Sequence, residues 1–363
     1  MNIRLLYFEE TDPQIFNLAS ILSYAYSIGE LNEMPPTLIV MEGFSRSFSY
    51  LGYYQDVDRE VKLDNVMKYN VELVRRWKLG MGNIFMDKIT GGWAIIFPQK
   101  VFKNSAEAYD ILVGKVFLDV VKSLGVINAE YVSPNDIRVK GKKLCGTGVS
   151  ILNDKREVVF FNGFTNLWKP DPELPFKILN IPPEKFADKA IKKPEEYFAA
   201  IEIDGNLTPK LGDFREALVK AVSKEFNAKV ETEELSDEEE KVWRKYLNIL
   251  KSEDFIFRRS TGKFMSKNRG YEYTFAQKKY RKLVQASLAL DSNRIKDVMI
   301  TGDFGLVPPD LDEDIVKELI GLTCDDFEVA KNRVLKLVKN GYEIIGASIE
   351  EFITPVFIAC RGY

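Results

Sequence analysis

The chain has 363 residues, of which 45% are hydrophobic and 29% charged, the balance of a folded globular protein of about two to three domains rather than a disordered one. Lys+Arg 51 against Asp+Glu 54 leaves a net charge of -3, so no overall positive field grips a phosphate backbone, and nucleic acid is not an expected partner. There is no histidine, which excludes Ser-His-Asp and Cys-His nucleophiles and every imidazole-ligated metal centre.

In chain order, apolar positions at helical spacing (Ile15, Leu18, Ala19, Leu22, Ala25, Tyr26) predict an opening amphipathic helix over 12–30, entered at Thr11 and Pro13. Strand-like runs follow over 37–63, broken by Gly43 and Gly52, and 91–98 reads as a buried strand. Ser105 opens a second helix to about Leu124, its apolar face covering the sheet. Strands are expected over 129–140 and 157–164 about a turn at Gly141, then a connector rich in proline between Pro170 and Pro194. Helices resume at 211–227 and at Ser236, where Ser236 and Glu239 form a capping box, so the acidic run 231–240 reads as a helix start rather than a metal site. The basic, glycine-punctuated stretch from Arg258 to Gly270 suits an interdomain linker. Residues 271–363 read as strand, strand, helix, helix and a final strand, with QASLAL at 285–290 helix-like.

Cys145, Cys324 and Cys360 are odd in number and lack CxxC spacing, so neither a disulfide framework nor a zinc cage is expected, which implies a reducing cytoplasm. Apolar runs such as 91–97 fall far short of the roughly 18 residues that span a bilayer, and MNIRLLYFEETDP has no leader-like core, so no membrane or targeting segment is expected. Glutamine is scarce (Gln14, Gln55, Gln99, Gln277, Gln285) beside abundant Lys and Glu, a thermophile-like composition.

Among short motifs, Asp303-Phe304-Gly305 suggests a kinase magnesium loop, but no His-Arg-Asp precedes it, and a turn after VMIT is the better account. RRSTGK at 258–263 lacks the strand and spacing of a phosphate loop. Arg75-Arg76 followed by Gly80-Met81-Gly82-Asn83 could bring guanidiniums and backbone N–H groups to a phosphate, though a basic pair beside a turn is also an ordinary solvated feature. Asn135-Asp136 leads into Gly141 to Gly148, which holds Lys143 between glycines.

Taken in order, Gly52-Tyr53-Tyr54-Gln55, Arg75-Arg76 with Gly80-Met81-Gly82-Asn83-Ile84-Phe85-Met86-Asp87, Asn135-Asp136 and Lys143-Leu144-Cys145-Gly146 resemble the lipoate-protein ligase family, with its leucine-glycine-x-x-glutamine strand end, RRxTGGGxVxHD loop, Asn-Asp pair and KxxG lysine. The Ile295 to Phe304 segment with Pro308 resembles that family's accessory domain. The resemblance implies an α+β protein with a mixed-sheet biotin/lipoate-ligase-like catalytic domain over 1–260 and a smaller α+β accessory domain over 268–363. It implies activation of lipoate by ATP to lipoyl-AMP, then transfer to a lysine of an acceptor lipoyl-domain protein, H-protein-like or an acyltransferase subunit. Lys143 would be the catalytic residue. Arg75, Arg76, Gly80, Gly82, Asn83, Asp87, Asn135, Asp136, Gly146 and Thr147 would bind the nucleotide, Asp136 would hold Mg²⁺, and Leu51, Gly52 and Tyr54 would wall the lipoate pocket.

Departures from the pattern are also visible: Met81 interrupts the glycines, Met86 stands at the family's histidine, and Phe161-Asn162-Gly163 replaces a histidine-glycine. Two other readings follow from them, a non-catalytic adenylate- or lipoyl-domain-binding paralogue and a ligase for another carboxylate such as octanoate. A related reading, by similarity to the octanoyl transferases, is octanoyl transfer through a cysteine thioester; Cys145 is the first-domain cysteine, but it sits inside the lysine motif and not on a separate loop, and reads better as a small buried residue under the turn.

Overall fold

The structure, a computed structural model, describes residues 1–133, 135–180, 199–338 and 342–362. The chain folds as two compact units that are discontinuous in sequence. The first comprises Met1–Phe48, Met67–Glu72 and Phe85–Ile249, and the second Ser49–Val66, Leu73–Ile84 and Leu250–Tyr363.

The first unit is built on an eight-stranded mixed sheet in the order Lys229–Thr232, Asn2–Thr11, Thr37–Phe44, Thr90–Phe97, Glu157–Asn166, Lys142–Asn153, Asp136–Val139, Glu130–Val132. Asn2–Thr11 pairs parallel to both its neighbours, while the strands from Thr37–Phe44 through Glu130–Val132 pair antiparallel. Alternation sends Trp93, Ile95 and Phe97 to one face, where they pack with Phe161, Phe117, Leu112, Val116, Phe214 and Leu218. Trp93 lies 5.4 Å from Phe117 and 4.5 Å from Phe161, ring to ring. Each such buried side chain contributes about 2 kcal/mol through burial, which fixes the register of the central strands. Gly92 faces the other way, and the Phe16 ring comes within 2.5 Å of where its Cβ would stand.

Several sequence expectations change here. The opening element is the strand Asn2–Thr11, and the predicted helix follows as a 3₁₀ turn, Pro13–Asn17, and an α-helix, Leu18–Ser27. The run 37–63 yields the strands Thr37–Phe44 and Phe48–Leu51, but then the short helix Val57–Glu60, nucleated by Asp56 as N-cap. The second helix extends from Ser105 to Ser123 through a π-helical turn at Leu112–Phe117. The turn at Gly141 joins Asp136–Val139 not to the 157–164 region but to a strand the sequence reading missed, Lys142–Asn153. Most of the proline-rich connector (181–198) lies outside the described residues. Asp213–Phe226 and Asp237–Leu250 are helical, the latter capped as expected by reciprocal bonds between Ser236 and Glu239. Glu239 also receives both terminal guanidinium nitrogens of Arg4 at 2.6 Å.

In the second unit, a three-stranded sheet of Glu72–Arg75, Phe48–Leu51 and Ile84–Met86, in that order, contributes Ser49–Leu51, Leu73–Arg75 and Ile84. A further sheet orders Glu272–Lys279, Leu283–Asp291 and Arg294–Gly302 antiparallel. The 285–290 segment is therefore strand, its alternating small and apolar residues buried on both faces. The expected linker is instead structured: Ser260 caps the helix Thr261–Lys267, and Asp58 accepts from the Ser260 hydroxyl and the Gly262 N–H at 2.6 and 2.8 Å. The last element is a helix, Ile349–Arg361, with a Ser348/Glu351 capping box, rather than a strand. Its apolar residues Phe352, Ile353, Val356 and Phe357 are buried at a helical spacing. Cys324 and Cys360 form a disulfide with Cα atoms 5.3 Å apart, against the expectation of free thiols; a separation of 36 residues carries no local spacing signal. No helix among the described residues is long and apolar enough to cross a membrane.

Candidate active site

The lysine motif sits on a tight hairpin of the first unit. Lys140 and Gly141 both take positive φ (51° and 76°), the turn that matches the twist of paired strands, and returns the chain along Asp136–Val139. The register shifts at Ile137/Arg138, placing Lys143 opposite Arg138 and Gly146 opposite Asp136. That irregularity redirects the lysine toward Asp136, and Lys143 Nζ lies 2.7 Å from Asp136 Oδ1. Arg138 takes the other carboxylate oxygen at 3.2 Å. Asn135 Nδ2 donates to the Thr147 carbonyl at 3.1 Å while the Thr147 hydroxyl donates to the Asn135 carbonyl at 2.7 Å. Gly146 faces the Phe164 ring, which comes within 2.3 Å of where a Cβ would stand. Asn135, Asp136, Lys143, Gly146 and Thr147 thus meet on one hairpin, with the Lys143 side chain 46% exposed.

Asp87 is placed apart in role. Its carboxylate accepts from the Ser47 hydroxyl at 2.9 Å and the Asp171 N–H at 3.3 Å, so it fastens loops of the first unit. Met86 is buried. Cys145 is fully buried, and desolvation pushes its thiol far above the ordinary range, outweighing the Thr165 hydroxyl and Lys143.

The remaining predicted residues belong to the second unit. Arg75 is completely buried: its Nε and Nη2 donate to the Ile256 carbonyl at 2.9 and 2.6 Å, and Nη1 to the carbonyls of Gly52, Tyr53 and Gln55 at 2.9, 3.3 and 2.8 Å. Burial, then Arg258 and Arg259, lowers its pKa to about 9. Arg76 lies over the Tyr50 ring, 4.3 Å from its centroid, and donates to the Gly82 carbonyl at 2.8 Å; burial lowers its pKa to about 10 against the opposing pull of Tyr50. Neither guanidinium has the open aspect expected of a phosphate contact. Arg75 is spent on carbonyls, and Arg76 is shared between the Gly82 carbonyl and the Tyr50 side chain, because two buried cations beside a turn need fixed acceptors.

The two motif glycines differ. A Cβ on Gly80 would stand 1.7 Å from the Phe304 carbonyl and 2.9 Å from Tyr54, whereas one on Gly82 would meet only the Asp303 Cβ at 3.9 Å. Gly52 likewise faces the Met81 carbonyl at 1.9 Å. Tyr54 stacks on Phe304 at 4.9 Å, accepts the Gly302 N–H on its carbonyl at 3.1 Å and donates its hydroxyl to the Pro309 carbonyl at 2.6 Å. Leu51 and Tyr54 are fully buried. Asn83 Oδ1 accepts from Ser49 at 2.9 Å, and its Nδ2 is buried with no partner among the described residues. The sequence reading missed that Gly302–Phe304 braces this loop. The signal lay in Gly302, at φ 151°, which lets the chain pass the Leu283 carbonyl where a Cβ would stand at 2.1 Å.

Asp136 does not by itself fit a metal site, since both its oxygens already face cations and no cluster of three Cys, Asp or Glu ligands occurs among the described residues.

Among curated proteins, the chain is 23% identical over 266 residues to lipoate–protein ligase 2 of Staphylococcus aureus, covering 70% of this chain and 72% of that one. It is 25% identical over 239 residues to octanoyltransferase LipM of Oceanobacillus iheyensis, covering 61% and 83%. Among solved structures, P. falciparum LipL1 in complex with lipoate superposes with a TM-score of 0.65 at 16% identity, over 93% of this chain and 98% of that one. One chain of a bipartite lipoate protein ligase from Thermoplasma acidophilum, determined with its E2 lipoyl domain, gives 0.60 at 19% identity, over 71% and 96%. The fold is the mixed α+β lipoate-ligase fold with a second, smaller domain. The profile of the lipoyl protein ligase A/B catalytic domain matches residues 25–223, more than half of the chain, and the protein belongs to that family.

Proposed function

We propose that the protein is an ATP-dependent lipoate–protein ligase. The observation that carries this reading is Lys143, a half-exposed ammonium held 2.7 Å from Asp136 on a hairpin braced by the Asn135–Thr147 exchange. In the first step the lipoate carboxylate attacks the α-phosphorus of ATP, forming lipoyl-AMP and releasing pyrophosphate. In the second, the amine of an acceptor lysine attacks the acyl carbon and AMP leaves. Lys143 acts in both by offsetting negative charge on the α-phosphate and acyl oxygens as it develops; because Asp136 already orients it, little reorganisation is needed.

Asn83 supports a nucleotide at the glycine loop, because its buried, unpartnered Nδ2 is a donor awaiting an acceptor, and Gly82 leaves its backbone open to approach. Mg²⁺ enters this account only as the counterion that ATP brings. The acceptor amine attacks in its uncharged form, so the transfer rate should rise with pH toward the ordinary lysine value of about 10.4. As a sequence boundary we propose a ligase domain over 1–260 and an accessory domain over 268–363. Cutting the chain at 262 would remove the Phe304 brace from Gly80 and Tyr54, and adenylate formation should fall with it. The acceptor in this reading is a lipoyl-domain protein, and the cytoplasm is the proposed location because ATP and such acceptors occur there; the Cys324–Cys360 bond removes the free-thiol ground for it.

Octanoyl transfer through a cysteine thioester has a curated relative in its favour. Against it, the Cys145 thiol is buried and held neutral, and Cys324 and Cys360 are bonded to each other. The test is mass-spectrometric detection of lipoyl-adenylate with pyrophosphate release after mixing the purified protein with ATP, Mg²⁺ and lipoate. Product is the expected result. None with lipoate or octanoate, from folded protein, would contradict the reading and favour a non-catalytic binding paralogue.

A further inference from the structure

The second unit carries a concentrated positive charge that the proposed chemistry does not use. Lys278, Lys279, Arg281 and Lys282 surround Tyr280 at the tip of the hairpin that joins Glu272–Lys279 to Leu283–Asp291. The Tyr280 N–H closes the turn on the Lys282 carbonyl at 3.0 Å, which forces like charges together in a chain of net charge -3. Two of the four are accounted for locally. Lys279 Nζ lies 3.2 Å from Asp303, and the stem of Lys282 packs beside Gly346. Lys278 and Arg281 are exposed, with no acid partner among the described residues; Lys278 Nζ instead stands 5.3 Å from the Tyr280 ring centroid. Edge-strand lysines that merely discourage strand pairing would account for Lys278 and Lys279 on the edge strand Glu272–Lys279, but not for the pair beyond it in the turn.

The position of this tip is informative. Asp303, which binds Lys279 and also accepts the Leu283 N–H, is the residue whose Cβ lies nearest the open side of Gly82. Its neighbour Phe304 presents the carbonyl that meets Gly80. The basic tip and the glycine loop are therefore fastened to one turn, Gly302–Phe304, within the second unit.

We propose that this hairpin tip is the docking surface for an acidic patch on the acceptor protein, which rests on the ligase reading above. A small acidic protein surface fits better than nucleic acid. The positive area is one turn wide, and Glu313 and Asp314 of the same unit stand at the start of the helix Leu311–Leu319, where they would repel a long polyanion. Charges of this kind at an interface rim set association rate and partner choice rather than catalysis.

The experiment compares wild type with the double variant Lys278→Glu, Arg281→Glu in the full chain. The Thermoplasma acidophilum E2 lipoyl domain is titrated by fluorescence anisotropy, a 20-base-pair DNA duplex serves as the second probe, and lipoyl-adenylate formation is measured on the same preparations. The expected result is lipoyl-domain binding weakened about tenfold in the variant, a difference that shrinks at high salt, with adenylate formation unchanged. Equal binding by both proteins, no binding by wild type, or a hairpin-dependent preference for the duplex would each overturn the proposal. Absence of adenylate from wild type would instead count against the ligase reading, and the anisotropy would still decide the docking surface.

Discussion

The two groups of predicted site residues are held by opposite means. On the Lys143 hairpin the ion-paired side chains are partly exposed, and the polar groups answer one another through ion pairs with Asp136 and through reciprocal side-chain to backbone bonds. At the Gly80–Asn83 loop the cations are buried and bound to backbone carbonyls, and Gly80, unlike Gly82, is packed against neighbouring backbone. Exposed ion pairs add little stability, whereas buried donors with fixed acceptors add much. Chemistry is therefore separable from folding on the hairpin and entangled with it at the loop.

The largest test of this contrast is Arg75→Ala. It strands the carbonyls of Gly52, Tyr53, Gln55 and Ile256, and should cost about 4 kcal/mol in denaturant unfolding; a loss no greater than that of an exposed arginine would break the comparison. Next, Gly80→Ala should destabilise by about 3 kcal/mol because its Cβ meets the Phe304 carbonyl, while Gly82→Ala should stay within about 1 kcal/mol. Thermal unfolding of the two variants side by side sharpens the point, since equal melting temperatures would mean that the loop is not braced as described.

A smaller effect belongs to the Arg4–Glu239 clamp of the first unit, a buried ion pair that resembles the loop's chemistry more than the hairpin's. Burial by itself would raise the Glu239 pKa, but the Arg4 guanidinium and the Ser236 N–H and hydroxyl together hold it below the ordinary 4.5. Its contribution is therefore present above the unfolded value of 4.5 and is lost as pH falls through the lower folded value. Glu239→Gln should flatten the loss of stability that chemical denaturation detects between neutral and acid pH, and an unchanged slope would rule the clamp out as its source. The smallest change in stability is expected for Lys143→Ala, about 0.5 kcal/mol or less, because its partner Asp136 keeps Arg138.

Much of this was legible in the sequence. Trp93 to Phe97, the helix from Ser105 and the Ser236/Glu239 cap follow from period and end chemistry. The order of Arg75-Arg76, Gly80, Gly82, Asn135-Asp136 and Lys143 pointed to the family that the domain profile supports. What was not legible depended on contacts made at long range. Asn2–Thr11 reads poorly as a strand because its exposed Glu9 and Glu10 end a run that is buried only by parallel neighbours on both sides. QASLAL resembles a helix because its apolar residues are contiguous, and only pairing within the Glu272–Gly302 sheet decides between the two. The carbonyl partners of Arg75 and Arg76 were not legible because a guanidinium that binds phosphate and one that binds carbonyls have the same sequence signature. The bond between Cys324 and Cys360 joins residues brought together by the final helix, which the sequence reading took for a strand.

The central claim is that Lys143 serves the acyl-adenylate chemistry and not the fold. The most direct measurement follows lipoyl-adenylate formation from ATP, Mg²⁺ and lipoate by mass spectrometry for wild type and Lys143→Ala at matched concentration, with thermal unfolding of both. The account predicts a rate at least about 100-fold lower in the variant with a melting temperature nearly unchanged. Equal rates in two folded proteins, or no adenylate from either, would contradict it.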